Sequence, residues 1–131
     1  MTASVDGLPV TAGADGDRTV LILDSDPELR RFLVRLLRPA GFDVVQVREA
    51  SELLSTLVEM RPSLIVIDFA LAGISTLDVV AFLRSEWRRI PLLVVTDETA
   101  LAFPVRVDAP VIYKPDRAGL AARVDSFLRP N

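Results

Sequence analysis

The chain has no cysteine and no histidine, and only one tryptophan, one tyrosine and one lysine. Without cysteine, disulfides and thiolate metal sites are excluded. Without histidine, Ser–His–Asp and Cys–His catalysis and most zinc sites are excluded too. Fourteen of the fifteen basic residues are Arg, which leaves Lys114 alone. The net charge is −3 with no basic cluster, so no direct nucleic-acid contact is expected. No apolar run approaches the ~18 residues of a membrane span. Residues 1–18 carry acids and glycines where a signal peptide needs a basic start and an apolar stretch. A cytoplasmic location is therefore expected. The remaining chemistry belongs to carboxylates, hydroxyls, lysine and arginine.

A length of 131 residues, half of them hydrophobic, suits one domain with its own core. Residues 1–17 are small, polar and glycine-rich and read as a flexible tail. Residues 18–131 read as the domain. Two patterns alternate through it. Val20-Leu21-Ile22-Leu23, Leu64-Ile65-Val66-Ile67 and Leu92-Leu93-Val94-Val95 are apolar without polar alternation, as in strands buried on both faces. Phe42 to Val47 and Val111 to Tyr113 add two shorter strands. Helical spacing appears from Asp26-Pro27-Glu28, a capped start, to Gly41. It returns over 51–60, with Leu53, Leu54, Leu57 and Val58 expected inward, over 76–87, and over 117–128. This strand–helix alternation implies a parallel sheet covered by helices on both faces.

In such sheets, sites form at the carboxyl ends of strands. Those ends carry Asp24-Ser25-Asp26, Asp68, Thr96-Asp97 and Lys114. Carboxylates, a hydroxyl and an ammonium around one crevice suit phosphate chemistry. A carboxylate can carry a phosphoryl group as an acyl phosphate. Hard oxygen ligands suit Mg²⁺, and a metal with a lysine offsets the charge of a transferring group.

Four landmarks then resemble the response-regulator receiver family over about residues 19–129. They are the acid Asp24 after the first strand, Asp68 after the third, Thr96 after the fourth and Lys114-Pro115 after the fifth. The resemblance implies an α/β fold: a doubly wound, five-stranded parallel sheet in the flavodoxin-like order 2-1-3-4-5. It implies Asp68 as phosphoacceptor, and Mg²⁺ held by Asp24, Asp68 and the Ala70 carbonyl. Thr96 and Lys114 would stabilise the phosphoryl group, and the Lys114–Pro115 bond would be cis. The implied role is signalling, not enzymatic. A histidine kinase or phosphotransfer protein would donate the phosphate. A downstream protein partner would receive the signal, with no membrane contact. With no output domain following, the chain is expected to act as a stand-alone receiver.

Five departures qualify the resemblance. Ser25 replaces the second acid, so Mg²⁺ should bind weakly. Asp26 beside it is expected to serve as the helix cap. Asp97 occupies a position that is usually small, and either crowds the phosphoryl group or caps a short helix over 98–103. The stretch from Thr96 to Lys114 is short and contains Pro104 and Pro110, so the fourth helix should be shortened or irregular. The family's aromatic switch position is Val111, with Tyr113 displaced by two and expected to face differently. The loop after Asp68 has Ala72 and Thr76 where the family often has Pro and Gly. Trp87 reads as a helix-face packing residue. Two other functions stay open: a phosphorylation-independent pseudo-receiver, and a phosphatase of the haloacid-dehalogenase type built on Asp24-Ser25-Asp26. The latter leaves Asp68 without a role and lacks a later acidic pair.

Overall fold

A computed structural model describes residues 18–70, 76–97 and 107–129. The elements are β1 (Thr19–Leu23), α1 (Pro27–Leu37), a 3-10 turn (Arg38–Ala40), β2 (Asp43–Val47), α2 (Ala50–Glu59), β3 (Leu64–Asp68), α3 (Thr76–Glu86), β4 (Leu92–Thr96), β5 (Val111–Tyr113) and α4 (Arg117–Leu128). All strands are parallel, in the order β2-β1-β3-β4-β5. This is the expected doubly wound sheet. The expected tail over 1–17 and the helix expected between β4 and β5 fall on residues outside those described.

The unbroken apolar strands are explained by two cores. Val20, Ile22, Leu64, Val66, Leu93 and Val95 pack on one face against Leu29 and Leu33 of α1 and Leu120 and Val124 of α4. Leu21, Leu23, Ile65, Ile67, Leu92 and Val94 pack on the other against Leu53 of α2 and Val79 and Leu83 of α3. Alternate side chains point to opposite faces, and both faces are covered, so the runs 20–23, 64–67 and 92–95 are apolar throughout and polar residues stand only at the strand ends. Edge strands β2 and β5 are only partly buried.

One expectation fails in α2. Leu53 and Leu57 are buried, but Leu54 is 37% and Val58 80% exposed. Residues four apart share a stripe of a helix. Leu54 and Val58 form a second stripe about 100° round, beyond the reach of the sheet.

The helix ends are set locally. Asp26 caps α1 by accepting from the Glu28 amide at 2.9 Å, with Pro27 in the first turn. Gly41 closes the 3-10 turn at φ +89°, a left-handed conformation that favours glycine. Arg18 holds that turn by donating to the Ala40 and Gly41 carbonyls while its guanidinium lies over Phe42.

Candidate functional site

The strand order reverses at β1: the chain moves outward to β2, then returns to place β3 on the opposite side of β1. At that reversal the two neighbouring connections leave in opposite directions and open a crevice at the strands' carboxyl ends. Leu23 pairs with Ile67, so Asp24 and Asp68 flank this crevice one residue further on. Asp68 pairs with Val95, and Thr96 pairs with Tyr113. The Lys114 amide donates to the Thr96 carbonyl, continuing the ladder to the lysine.

Four of the candidate groups meet as an ion cluster. Lys114 Nζ lies 3.1 Å from Asp24 Oδ2, 3.3 Å from Asp26 Oδ2 and 3.6 Å from Asp68 Oδ2. Asp24 and Lys114 are buried, 2% and 6% exposed, while Asp68 is half-buried. Asp24 Oδ1 accepts from the Asp26 amide at 2.9 Å. Asp24 Oδ2 is buried without a well-aligned hydrogen bond, and the Lys114 ammonium 3.1 Å away is its charged partner. Burial pushes the Asp24 carboxyl above its ordinary value, and the Asp68 charge adds to the rise. The Asp26 amide and Lys114 oppose it without cancelling it. For Lys114, burial opposes the charged form, but Asp24, Asp68 and Asp26 outweigh it and hold the ammonium above its ordinary value.

The surrounding backbone is tied down. Gln46 Nε2 donates to the Asp24 carbonyl at 2.7 Å. The Ala70 amide donates to Asp68 Oδ1 at 3.2 Å. The Thr76 hydroxyl, buried at the start of α3, contacts the Phe69 carbonyl at 2.6 Å and the Asp68 carbonyl at 3.2 Å. Arg117 reaches the Lys114 carbonyl and lies over Phe32 of α1, which steadies the turn carrying the lysine. In the sequence, Thr76 is only a departure at a position where glycine is common. Its buried hydroxyl gives it a positioning role that its place in the chain does not reveal.

Asp26 differs from its expected role. It caps α1 as anticipated, but through Oδ1 alone, and its Oδ2 faces Lys114. The segment alternates, with Asp24 and Asp26 inward and Ser25 exposed. Asp97 is exposed and takes no part in the three ion pairs on Lys114. Thr96 is buried at the end of β4. The Lys114–Pro115 bond is trans, since no peptide bond among the described residues is cis. Trans is the lower-energy isomer, and the turn closes with it through an Asp116 amide to Tyr113 carbonyl bond. Val111 packs against the α2–α3 core. Tyr113, two residues on, shares its face of the strand and lies nearer the rim, 40% exposed. It differs from Val111 in depth, not in facing. Trp87 does pack, against the core and Phe82, as expected. It also lines a separate recess of about 330 Å³ with Arg61 and Arg89, which contains none of the strand-end residues.

The donor set is entirely oxygen around one ammonium. Among the described residues no three acids form a ready-made metal cage. No described helix is long and apolar enough to cross a membrane.

The sequence profile of the response regulator receiver domain matches residues 20–109. The chain belongs to the response regulator receiver family. The DNA-binding response regulator MtrA of Mycolicibacterium smegmatis is 33% identical over 119 residues, which cover 86% of this chain and 51% of that protein. MtrA of Mycobacterium tuberculosis H37Rv is 30% identical over the same shares. This receiver chain thus spans about half the length of the curated relatives it matches, and the DNA binding in their names belongs to those longer proteins. Response regulator TrrA from Thermotoga maritima, solved in complex with Mg²⁺–BeF, superposes with a TM-score of 0.69 at 19% identity, over 84% of this chain and 98% of that one. The receiver domain of sensor histidine kinase PA1611 from Pseudomonas aeruginosa, with magnesium in its active-site cleft, gives 0.69 at 17%, over 87% and 99%. At these identities the likeness establishes the fold. The family match also disposes of the dehalogenase alternative, which leaves Asp68 without a role.

Proposed function

We propose that residues 18–131 form a receiver that accepts a phosphoryl group on Asp68 and passes the signal on by protein–protein contact. The carrying observation is the buried Lys114 ammonium, placed within ion-pair reach of both Asp68 and Asp24. The donor is a phosphohistidine on a histidine kinase or phosphotransfer protein. An Asp68 carboxylate oxygen attacks phosphorus, the P–N bond breaks, the histidine nitrogen takes up a proton, and an acyl phosphate forms. Lys114 and the Thr96 hydroxyl are then the groups at hand to meet the phosphoryl oxygens. Hydrolysis by water would return Asp68 to the carboxylate.

The residues present suit Mg²⁺. Asp24 offers a buried oxygen without a well-aligned hydrogen bond, and Asp68 and the Ala70 carbonyl are hard oxygen donors. Bound there, Mg²⁺ would supply positive charge against the phosphoryl oxygens. Ser25 contributes no carboxylate, so the affinity is expected to be weak.

The pseudo-receiver reading draws support from the same cluster. Lys114 is already paired with all three acids, so the carboxylate oxygens that a cation would need are engaged by the ammonium. Acetyl phosphate or beryllofluoride with Mg²⁺ separates the two readings. Phosphorylation should add mass at Asp68 and beryllofluoride should shift the amide spectrum, with both effects lost in Asp68→Asn. A wild-type protein inert to both reagents would establish the pseudo-receiver.

A further inference from the structure

Ser25 stands where the second acid of the pair is expected, yet the pocket still holds a second acid from the same loop. Asp26 divides its carboxylate. Oδ1 accepts from the Glu28 amide and caps α1, while Oδ2 lies 3.3 Å from Lys114 Nζ. A cap alone needs one oxygen and leaves the other to solvent. Here the second oxygen meets an ammonium whose side chain is 7% exposed, beside the buried Asp24 Oδ2, which has no well-aligned hydrogen bond and lies 3.1 Å from the same ammonium. The loop is held in this form from two sides: Gln46 Nε2 donates to the Asp24 carbonyl, and the Asp26 amide donates to Asp24 Oδ1.

Resting on the reading of Asp68 as phosphoacceptor, we propose that Asp26 replaces the missing acid at Ser25 and is the second carboxylate through which this pocket attracts a divalent cation. The charge that Ser25 omits is restored one residue later. It costs the helix nothing, because capping and cation attraction use different oxygens of one side chain. Affinity at oxygen sites follows the number of charged ligands, so Asp26 offsets the weakening that Ser25 alone would cause.

The test uses the full chain, with Mn²⁺ followed by water-proton relaxation and Mg²⁺ by calorimetry. Asp26→Asn keeps a capping side chain and removes the charge. It should weaken both ions about tenfold or more, in line with other changes around metal ligands. Asp26→Ser, which also caps, should do the same and serves if the first variant folds poorly. Adding Ser25→Asp to Asp26→Asn should restore binding. Wild-type affinity in both Asp26 variants, with binding lost in Asp24→Asn, overturns the role of Asp26 and leaves the phosphoacceptor reading standing. A wild type that binds neither ion overturns both.

Discussion

Asp24 and Asp26 sit two residues apart on one loop and pair with the same lysine, yet their carboxyls are displaced in opposite directions. For Asp24, burial dominates and raises it. Burial also opposes the charge on Asp26, but the rim position makes that penalty small enough for the Glu28 amide and Lys114 to outweigh it, and the carboxyl is lowered. Depth therefore decides whether the ion pair stabilises or merely limits a cost. The desolvation of a buried charge is repaid only in part by its partner, whereas a rim charge keeps its water.

The most severe way to break this comparison is to remove the shared partner. Lys114→Met leaves Asp24 buried and uncompensated, and should cost about 3–5 kcal/mol of stability at pH 7 by chemical denaturation. The loss should shrink towards acid pH as Asp24 takes up a proton.

Removing the deep acid comes next. Because the folded-state value of Asp24 lies above its ordinary 3.8, the folded chain binds that proton more tightly than the unfolded one. Stability on this account falls as pH rises from 3.8 through the raised value. Asp24→Asn should abolish that fall, so that its urea-unfolding stability gains on wild type as pH rises towards 7. If the Asp24→Asn variant instead loses ground on wild type as pH rises towards 7, the pair with Lys114 outweighs the burial cost.

The rim acid should give the smallest effects. Asp26→Ala loses the cap and should cost about 1 kcal/mol in thermal or urea unfolding, whereas Asp26→Asn should cost a few tenths. The lowered Asp26 adds stability that is present above 3.8 and lost as pH falls through its folded value, the reverse of Asp24. Parallel pH profiles for Asp24→Asn and Asp26→Asn would erase the distinction between them.

Much of the fold was legible along the chain. The apolar runs of β1, β3 and β4 marked strands covered on both faces, and Asp26-Pro27-Glu28 marked the start of α1. The strand-end rule brought Asp24, Asp68, Thr96 and Lys114 forward as candidates. The second oxygen of Asp26 was not legible, because a cap is a local property and the contact with Lys114 joins loops far apart in sequence. Nor was the anchoring by Thr76, whose acceptors are carbonyls on the preceding loop. Leu54 and Val58 misled because a helix of mixed apolar residues does not say which stripe the sheet will cover.

The sequence by itself determined the order of strands and helices along the chain, the polar residues at the ends of β1, β3, β4 and β5, and the single lysine. These follow from periodicity and composition, which act within one element. Only the tertiary structure decided how many acids that lysine serves and how deeply each is buried. That depends on the sheet bringing residues 24, 26, 68 and 114 to one crevice, where solvent access sets the energy of each charge.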